Sequence, residues 1–246
     1  MLETLRTARG VMRSLGIYYG WHQRRRSSAM DALYRRFVKR GDLVFDIGAH
    51  VGDRVAAFRR LGAKVVAVEP QPALASTLTM LYGHSSNVVI ERAAVGRKAG
   101  DVRLMVNTDN PTISTASNAF IHAAQDAPGW QDQHWDKSIR VPMTTLDVLI
   151  EQHGRPAFIK IDVEGFEEAV LQGARASLAR FRPGLLFESG LESAEQRKSI
   201  HDLLSDYEPI GAAVPGGLIE FSWADYRDSG KVLADLGLCN LLFMPR

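Results

Sequence analysis

The chain has 246 residues, of which 46% are hydrophobic and 24% charged, with 21 Gly and 10 Pro. These values exclude collagen-like, disordered and low-complexity chains and suit one globular domain with a sizeable core. No run of about 18 apolar residues exists, so no membrane-spanning helix is expected. The lone cysteine, Cys239, excludes a disulfide framework or cysteine-rich zinc site and points to a reducing compartment. The net charge of +2 is uneven: residues 1–40 carry ten Lys/Arg against Glu3 and Asp31, leaving −6 on the other 206 residues.

Residues 1–40 therefore read as a basic, partly helical N-terminal arm, with 41–246 as the domain proper. The arm is not a signal peptide, because its short apolar stretches around Val11 and Ile17 are broken by Arg13 and no cleavage site follows. A cytoplasmic protein is expected, with the basic end able to rest on the anionic inner face of a membrane. MDALYRRFVKR (30–40) reads as an amphipathic helix stopped at Gly41. LVFDIG (43–48) and KVVAVEP (64–70) are short apolar runs typical of buried strands. Helices DRVAAFRRLG (53–62) and PALASTLTMLYG (72–83) follow them, and NVVIERAAVG (87–96) contains a third strand. This β-α-β-α-β order implies a parallel sheet with helices on both faces.

DVRLMVN (101–107) alternates like an edge strand. Residues 108–138 then read as polar and irregular, which in a compact domain suggests a lid or binding loop. SIRVPMTTLDVLIEQHG (138–154) passes from strand to helix, with Thr145 as N-cap. AFIKID (157–162), a helix over 167–181, GLLFES (184–189), a helix over 193–206 and YEPIGAAV (207–214) continue the alternation. A helical stretch around 223–236 and CNLLFMP (239–245) end it.

The first two strand ends carry the strongest functional signal. DIGAHVG (46–52) sits on a strand-to-helix turn, where glycines let the backbone approach a ligand. Glu69 ends the next strand, 21 residues after Gly48, where an acid can accept both ribose hydroxyls. A dinucleotide fingerprint needs G-x-G-x-x-G. Here Gly48 and Gly52 flank His50, so the pyrophosphate cradle is incomplete. Asp46 would repel a pyrophosphate but suits a cationic amine. These features favour S-adenosylmethionine over NAD.

Read with FIKIDVEGFEEAVLQGA (158–174), these residues resemble the FkbM family of S-adenosylmethionine-dependent methyltransferases. LVFDIGAHVGD, VVAVEP, TTLDVLI and KIDVEGFEEAVLQGA occur in that family's order, over roughly 41–246. The resemblance implies an α/β, Rossmann-like class I methyltransferase fold: a doubly wound, mostly parallel sheet of seven strands with the last antiparallel. It implies methyl transfer to oxygen, on a sugar of a surface glycan or glycolipid or on a polyketide-like natural product. By that likeness Asp46, Gly48 and Gly52 border the methionine part, Glu69 and the adjoining Pro70 the ribose, and Arg92 and Ala93 the adenine. Arg92 departs from the acid or amide common there and cannot accept a hydrogen bond from the adenine amine. His50 stands where many relatives carry Asn or a small residue, and is either a variation or a site residue.

Asp162 and Glu164 lie at the end of the fourth core strand, where the methyl should point. A base there helps an alcohol lose its proton, by about 10²–10⁴-fold in general. Asp162 is the first candidate for base or acceptor orienter, also facing the cofactor, and Glu164 is the second. The same acids suit a divalent cation, but two acids without further ligands do not define a site, and no metal is expected. Glu188, Ser114, Thr115, Trp130 and Trp135 are the candidates for the acceptor, with 108–138 as its lid. The rival readings are a nicotinamide-dependent oxidoreductase and a non-catalytic cofactor-binding module whose arm recruits a partner. No nucleic-acid partner is expected, because the basic residues cluster away from the catalytic half; a homo-oligomer is left open.

Overall fold

The computed structural model of the chain describes residues 2–20, 24–214, 217–227 and 239–246. In chain order the elements are α1 (Leu2–Tyr19), α2 (Arg24–Tyr34), β1 (Leu43–Ile47), α3 (Asp53–Arg60), β2 (Lys64–Val68), α4 (Pro72–Tyr82), β3 (Val88–Glu91), β4 (Ala94–Val95), β5 (Gly100–Val106), α5 (Asn118–Asp126) and β6 (Lys137–Thr144). There follow α6 (Leu146–His153), β7 (Phe158–Ile161), α7 (Glu167–Gln172), α8 (Arg175–Phe181), β8 (Gly184–Ser189), α9 (Ala194–Leu203), β9 (Tyr207–Val214), β10 (Gly217–Ile219), α10 (Trp223–Arg227) and β11 (Cys239–Pro245).

The main sheet has eight strands in the order β10-β9-β11-β8-β7-β1-β2-β3. β3, β2, β1, β7 and β8 pair in parallel, whereas β11 runs antiparallel between β8 and β9. This is the Rossmann-like class I arrangement, with β10 added to the expected seven strands as a short antiparallel edge on β9. The central strands read as unbroken apolar runs because both of their faces are covered. Phe45, Ile47, Ile159 and Ile161 pack on one side with Leu146, Val170 and Leu185. Val44, Val65 and Phe158 pack on the other with Tyr34, Val55 and Phe58. Each such large side chain, fully buried, contributes roughly 1.5–3 kcal/mol.

β1-α3-β2-α4-β3 builds outward in one direction, and β7 and β8 extend the sheet in the other. The strand order therefore reverses between β1 and β7, the place where open α/β sheets bind ligands. A smaller sheet, β4-β6-β5, stands beside it.

Several local expectations change. The helix expected at 30–40 is α2, ending at Tyr34; a turn follows, and Tyr34 and Val38 plug the core beneath β1. The helix expected over 167–181 is two, α7 and α8, separated by Gly173 and Ala174. Residues 108–138 are not irregular throughout. They hold a 3-10 turn at Pro111–Ile113 and α5, whose N-cap Ser117 accepts from the Phe120 N–H. The expected helix around 223–236 is seen as α10; residues 228–236 lie outside the described residues. Thr145 caps α6 as expected, accepting from the Val148 N–H. Among the described residues no helix is long and apolar enough to cross a membrane.

Candidate active site

The tips of β1, β2 and β7 meet at the reversal point and open into a cleft, the place where open α/β sheets take their ligands. Gly48 makes the meeting possible. Its φ is +79°, and a Cβ there would lie 1.8 Å from the Asp162 carbonyl oxygen. Only glycine fits both constraints. The Gly48 and Ala49 N–H groups donate to the Val68 carbonyl, and the Asp162 N–H donates to that of Ile47, locking the three tips in register.

Glu69, Pro70, Gly48, His50 and Ala93 line this cleft, as the sequence reading expects. The Glu69 carboxylate is buried and accepts the His50 N–H at 2.9 Å on one oxygen and the Gln71 N–H at 2.8 Å on the other. Burial pushes its pKa up to about 7, against the pull of those two donors. A carboxylate has about four acceptor positions, so two are left for ligand hydroxyls. His50 adopts a left-handed φ of 50°, a region histidine tolerates better than most residues. Its ring is 5.4 Å from Tyr18, edge-on, and its Nε2 lies 3.4 Å from the Thr112 hydroxyl. Burial drops its pKa to about 4, so it faces the cleft neutral near pH 7.

Asp46, Gly52 and Arg92 do not line the cleft. Asp46 stands beside Lys160, its register partner on β7 and on the same face of the sheet. It is fully buried, with the Lys160 ammonium 3.9 Å away, and burial raises its pKa to about 6 despite that cation. Gly52 does not line the cleft; a Cβ on it would strike Tyr82 and Leu78. Arg92 is exposed and its guanidinium turns back to donate to the Thr79 hydroxyl at 3.0 Å, leaving Ala93 as the residue of this pair on the cleft.

Lys160 is the main residue the sequence reading misses. It is 2% exposed, and it lines the cleft. Its Nζ donates to Asp162 Oδ2 at 2.6 Å. Burial opposes its charge, but Asp162 and Asp46 outweigh that and keep it protonated. In return Lys160 overcomes burial and holds the Asp162 carboxyl below its ordinary range. A charged residue inside FIKI was the available signal. Gln71 is missed as well: its amide donates to the Pro111 carbonyl at 3.0 Å and accepts from Ser114, tying β2 to the lid segment.

Glu164 is also buried, in a left-handed φ of 53°, and lines the cleft close to Asp162. Glu188, from the end of β8, borders a small adjoining pocket with Phe120, Glu167 and Glu192. One carboxylate oxygen each from Asp162, Glu164 and Glu188 falls within a 4.8 Å group. Burial, then mutual repulsion, raises the pKa of Glu164 and of Glu188.

Of the acceptor candidates, Ser114 lines the cleft. Thr115 does not: it is fully buried and donates to the Glu164 carbonyl at 2.6 Å, fixing that peptide. Trp130 and Trp135 line neither cavity. Both meet the Phe120 ring edge-on, and Trp135 Nε1 donates to the Ile113 carbonyl at 2.8 Å, so they anchor the 108–138 segment internally. The basic arm contributes a wall. Tyr18 of α1 lines the cleft, and the neighbouring Tyr19 hydroxyl meets that of Tyr82 at 2.6 Å.

A family model for the "Methyltransferase FkbM domain" matches residues 46–208. A methyltransferase FkbM from Methylobacillus flagellatus KT superposes with a TM-score of 0.53 at 18% identity. The match covers 87% of this chain but 47% of that one, so this chain spans about half its length. A putative rRNA-methylase from Clostridium thermocellum has a TM-score of 0.47 at 10% identity, covering 89% of this chain and 93% of that one. No curated protein matches. The family match starts at the end of β1 and takes in the three strand tips, the KIDVEG turn and Glu188, so this chain belongs to the FkbM methyltransferase domain family.

Proposed function

We propose that this chain transfers a methyl group from S-adenosylmethionine to a hydroxyl of a sugar, on a surface glycan or glycolipid, or of a polyketide-like natural product. The observation that carries the reading is the polarity of one cleft. At one end stands a buried carboxylate with two open acceptor positions, Glu69; at the other stand the carboxylates around Asp162.

The residues fit the cofactor. Glu69 would hold the ribose hydroxyls, and Ala93, Val95 and Leu104 offer an apolar wall for the base. Asp53, on the cleft, would hold the ammonium, with the buried Asp46 adding negative charge nearby. Bound there, the cofactor supplies an electrophilic methyl group on a sulfonium. Pro111, Thr112, Ser114 and Ala116 of the lid segment line the cleft and would shield the bound cofactor from water. Asp162 is kept ionised by Lys160 and so can accept the hydrogen bond, and then the proton, of the acceptor hydroxyl. Glu164, next to it, is the second candidate. Holding acceptor and donor in line supplies several kcal/mol of the barrier.

Two measurements test this. Calorimetric titration should show micromolar binding of S-adenosylmethionine and none of NAD; the reverse would turn the reading toward hydride transfer. Mass spectrometry of surface glycans, glycolipids and secreted metabolites, with and without the gene, should then show an O-methyl group lost. In the restored activity Asp162→Asn should bind cofactor almost normally yet turn over about 10²-fold more slowly. Full activity in that variant would remove Asp162 as the base.

A further inference from the structure

We propose that Asp162, Glu164 and Glu188 bind one hard divalent cation, of the Mg²⁺ or Mn²⁺ kind, at the acceptor end of the cleft. The sequence shows two of these acids two residues apart and nothing beyond them. The fold brings the third from the neighbouring parallel strand: β7 pairs with β8, and Asp162 and Glu188 follow one another at their carboxyl ends. The three ligand oxygens lie within 4.8 Å of one another. Oxygens on opposite sides of a bound Ca²⁺ are about 5 Å apart and around Mg²⁺ about 4 Å, so the group spans the larger ion as it stands and would draw in by about 1 Å or less around Mg²⁺ or Mn²⁺.

Glu164 carries the second observation. It is 6% exposed, its Oε2 is sealed from solvent, and that oxygen has no hydrogen-bond partner among the described residues. Such an oxygen is costly to leave unpaired. Lys160 does not serve it: its ammonium is bonded to Asp162 Oδ2. Glu167 does not relieve it either, since it is another acid and accepts the Val163 N–H. A doubly charged cation would satisfy Glu164 and offset the three converging carboxylates together. The position is open to ligands: Asp162 and Glu164 line the larger cleft, and Glu188 borders the smaller one beside it. Remaining coordination positions would take water or two neighbouring oxygens of a polyhydroxylated acceptor. This last point rests on the methyl-transfer reading; the cation site itself does not.

The test is direct binding to the full chain, stripped with a chelator and without cofactor. Mn²⁺, followed by electron paramagnetic resonance and calorimetry, should bind at one per chain, be displaced by Mg²⁺, and raise the melting temperature. Glu164→Gln and Glu188→Gln should each weaken it by about tenfold or more. Asp101→Asn, at the exposed ion pair with Arg140, should leave it unchanged. In the stripped protein Glu188→Gln should melt no lower than the parent, because it removes a repelling neighbour; this separates lost ligation from lost folding. Absence of saturable Mn²⁺ binding overturns the inference, as does equal affinity in the Glu164→Gln, Glu188→Gln double variant. S-adenosylhomocysteine titrated in chelator keeps the two readings apart. Its binding without any Mn²⁺ binding removes the cation and leaves methyl transfer standing; Mn²⁺ binding without cofactor binding does the opposite.

Discussion

If Glu69 holds the ribose as proposed, it should tie S-adenosylmethionine binding to pH in a direction opposite to its effect on the free protein. Burial raises its pKa from the ordinary 4.5 to about 7. The folded chain therefore holds this proton more tightly than the unfolded one. The stabilisation is complete below about pH 4.5 and is lost as pH rises through about 7, a change of about 3 kcal/mol at about 1.4 kcal/mol per unit. Ribose hydroxyls, by contrast, donate to the ionised form. Affinity for S-adenosylhomocysteine should therefore be weak below pH 7 and rise to a plateau above it. Glu69→Gln should abolish this step and weaken binding about 10²-fold at pH 8, since two hydrogen bonds to a charged acceptor contribute about 1.5 kcal/mol each at the low end. The variant should not simply unfold. Its carbonyl can accept only one of the His50 and Gln71 N–H groups well, costing about 1–3 kcal/mol, while loss of the buried charge offsets that at alkaline pH. Isothermal titration across pH 5.5–8.5, beside thermal melts of both proteins, measures all of this. Affinity in Glu69→Gln within about threefold of the parent, or an unchanged pH step, would refute the ribose role.

Three further outcomes are expected. Gly48→Ala places a Cβ 1.8 Å from the Asp162 carbonyl at a φ of +79°. The backbone conformation alone costs about 1–2 kcal/mol and the tips of β1 and β7 must separate as well, so urea melts should show more than that loss, together with weakened S-adenosylhomocysteine binding; a midpoint like the parent's would contradict the close approach. Lys160→Met leaves the buried Asp46 and Asp162 carboxylates without their cation and should cost about 3–5 kcal/mol. Adding Asp46→Asn should recover part of that in the same melts, whereas simple additivity would show that the pair is not coupled. Tyr18→Ala opens the cleft wall supplied by α1. It should weaken S-adenosylhomocysteine by about tenfold with little change in melting temperature, and an unaltered affinity would make α1 a bystander.

How much of this was legible depended on whether a signal was local. The central strands were, because burial on both faces demands unbroken apolar runs and each run stops at a turn residue. Gly48 and Glu69 were legible for the same reason: each ends such a run, and strand ends are where the sheet opens. α5 was overlooked because a nine-residue helix offers only two turns of periodicity. Trp130 and Trp135 were ambiguous on their own, since the same ring serves as a sugar platform or as an anchor; Phe120, packed against both, decides for the anchor. Arg92 and Asp46 differ from the expectation by placement: the Arg92 guanidinium turns back onto α4, and Asp46 is buried beside Lys160, which itself lines the cleft. The charged cluster was the least legible part. Lys160 meets Asp46 only because β7 lies beside β1 in that register, and Glu188 joins Asp162 only because β8 lies beside β7. Those pairings arise from strand order, which crosses 114 residues between Asp46 and Lys160. The local pattern thus locates the Glu69 end of the cleft, whereas the Asp162 end is assembled by topology, and it is there that the buried, unpartnered oxygen of Glu164 stands.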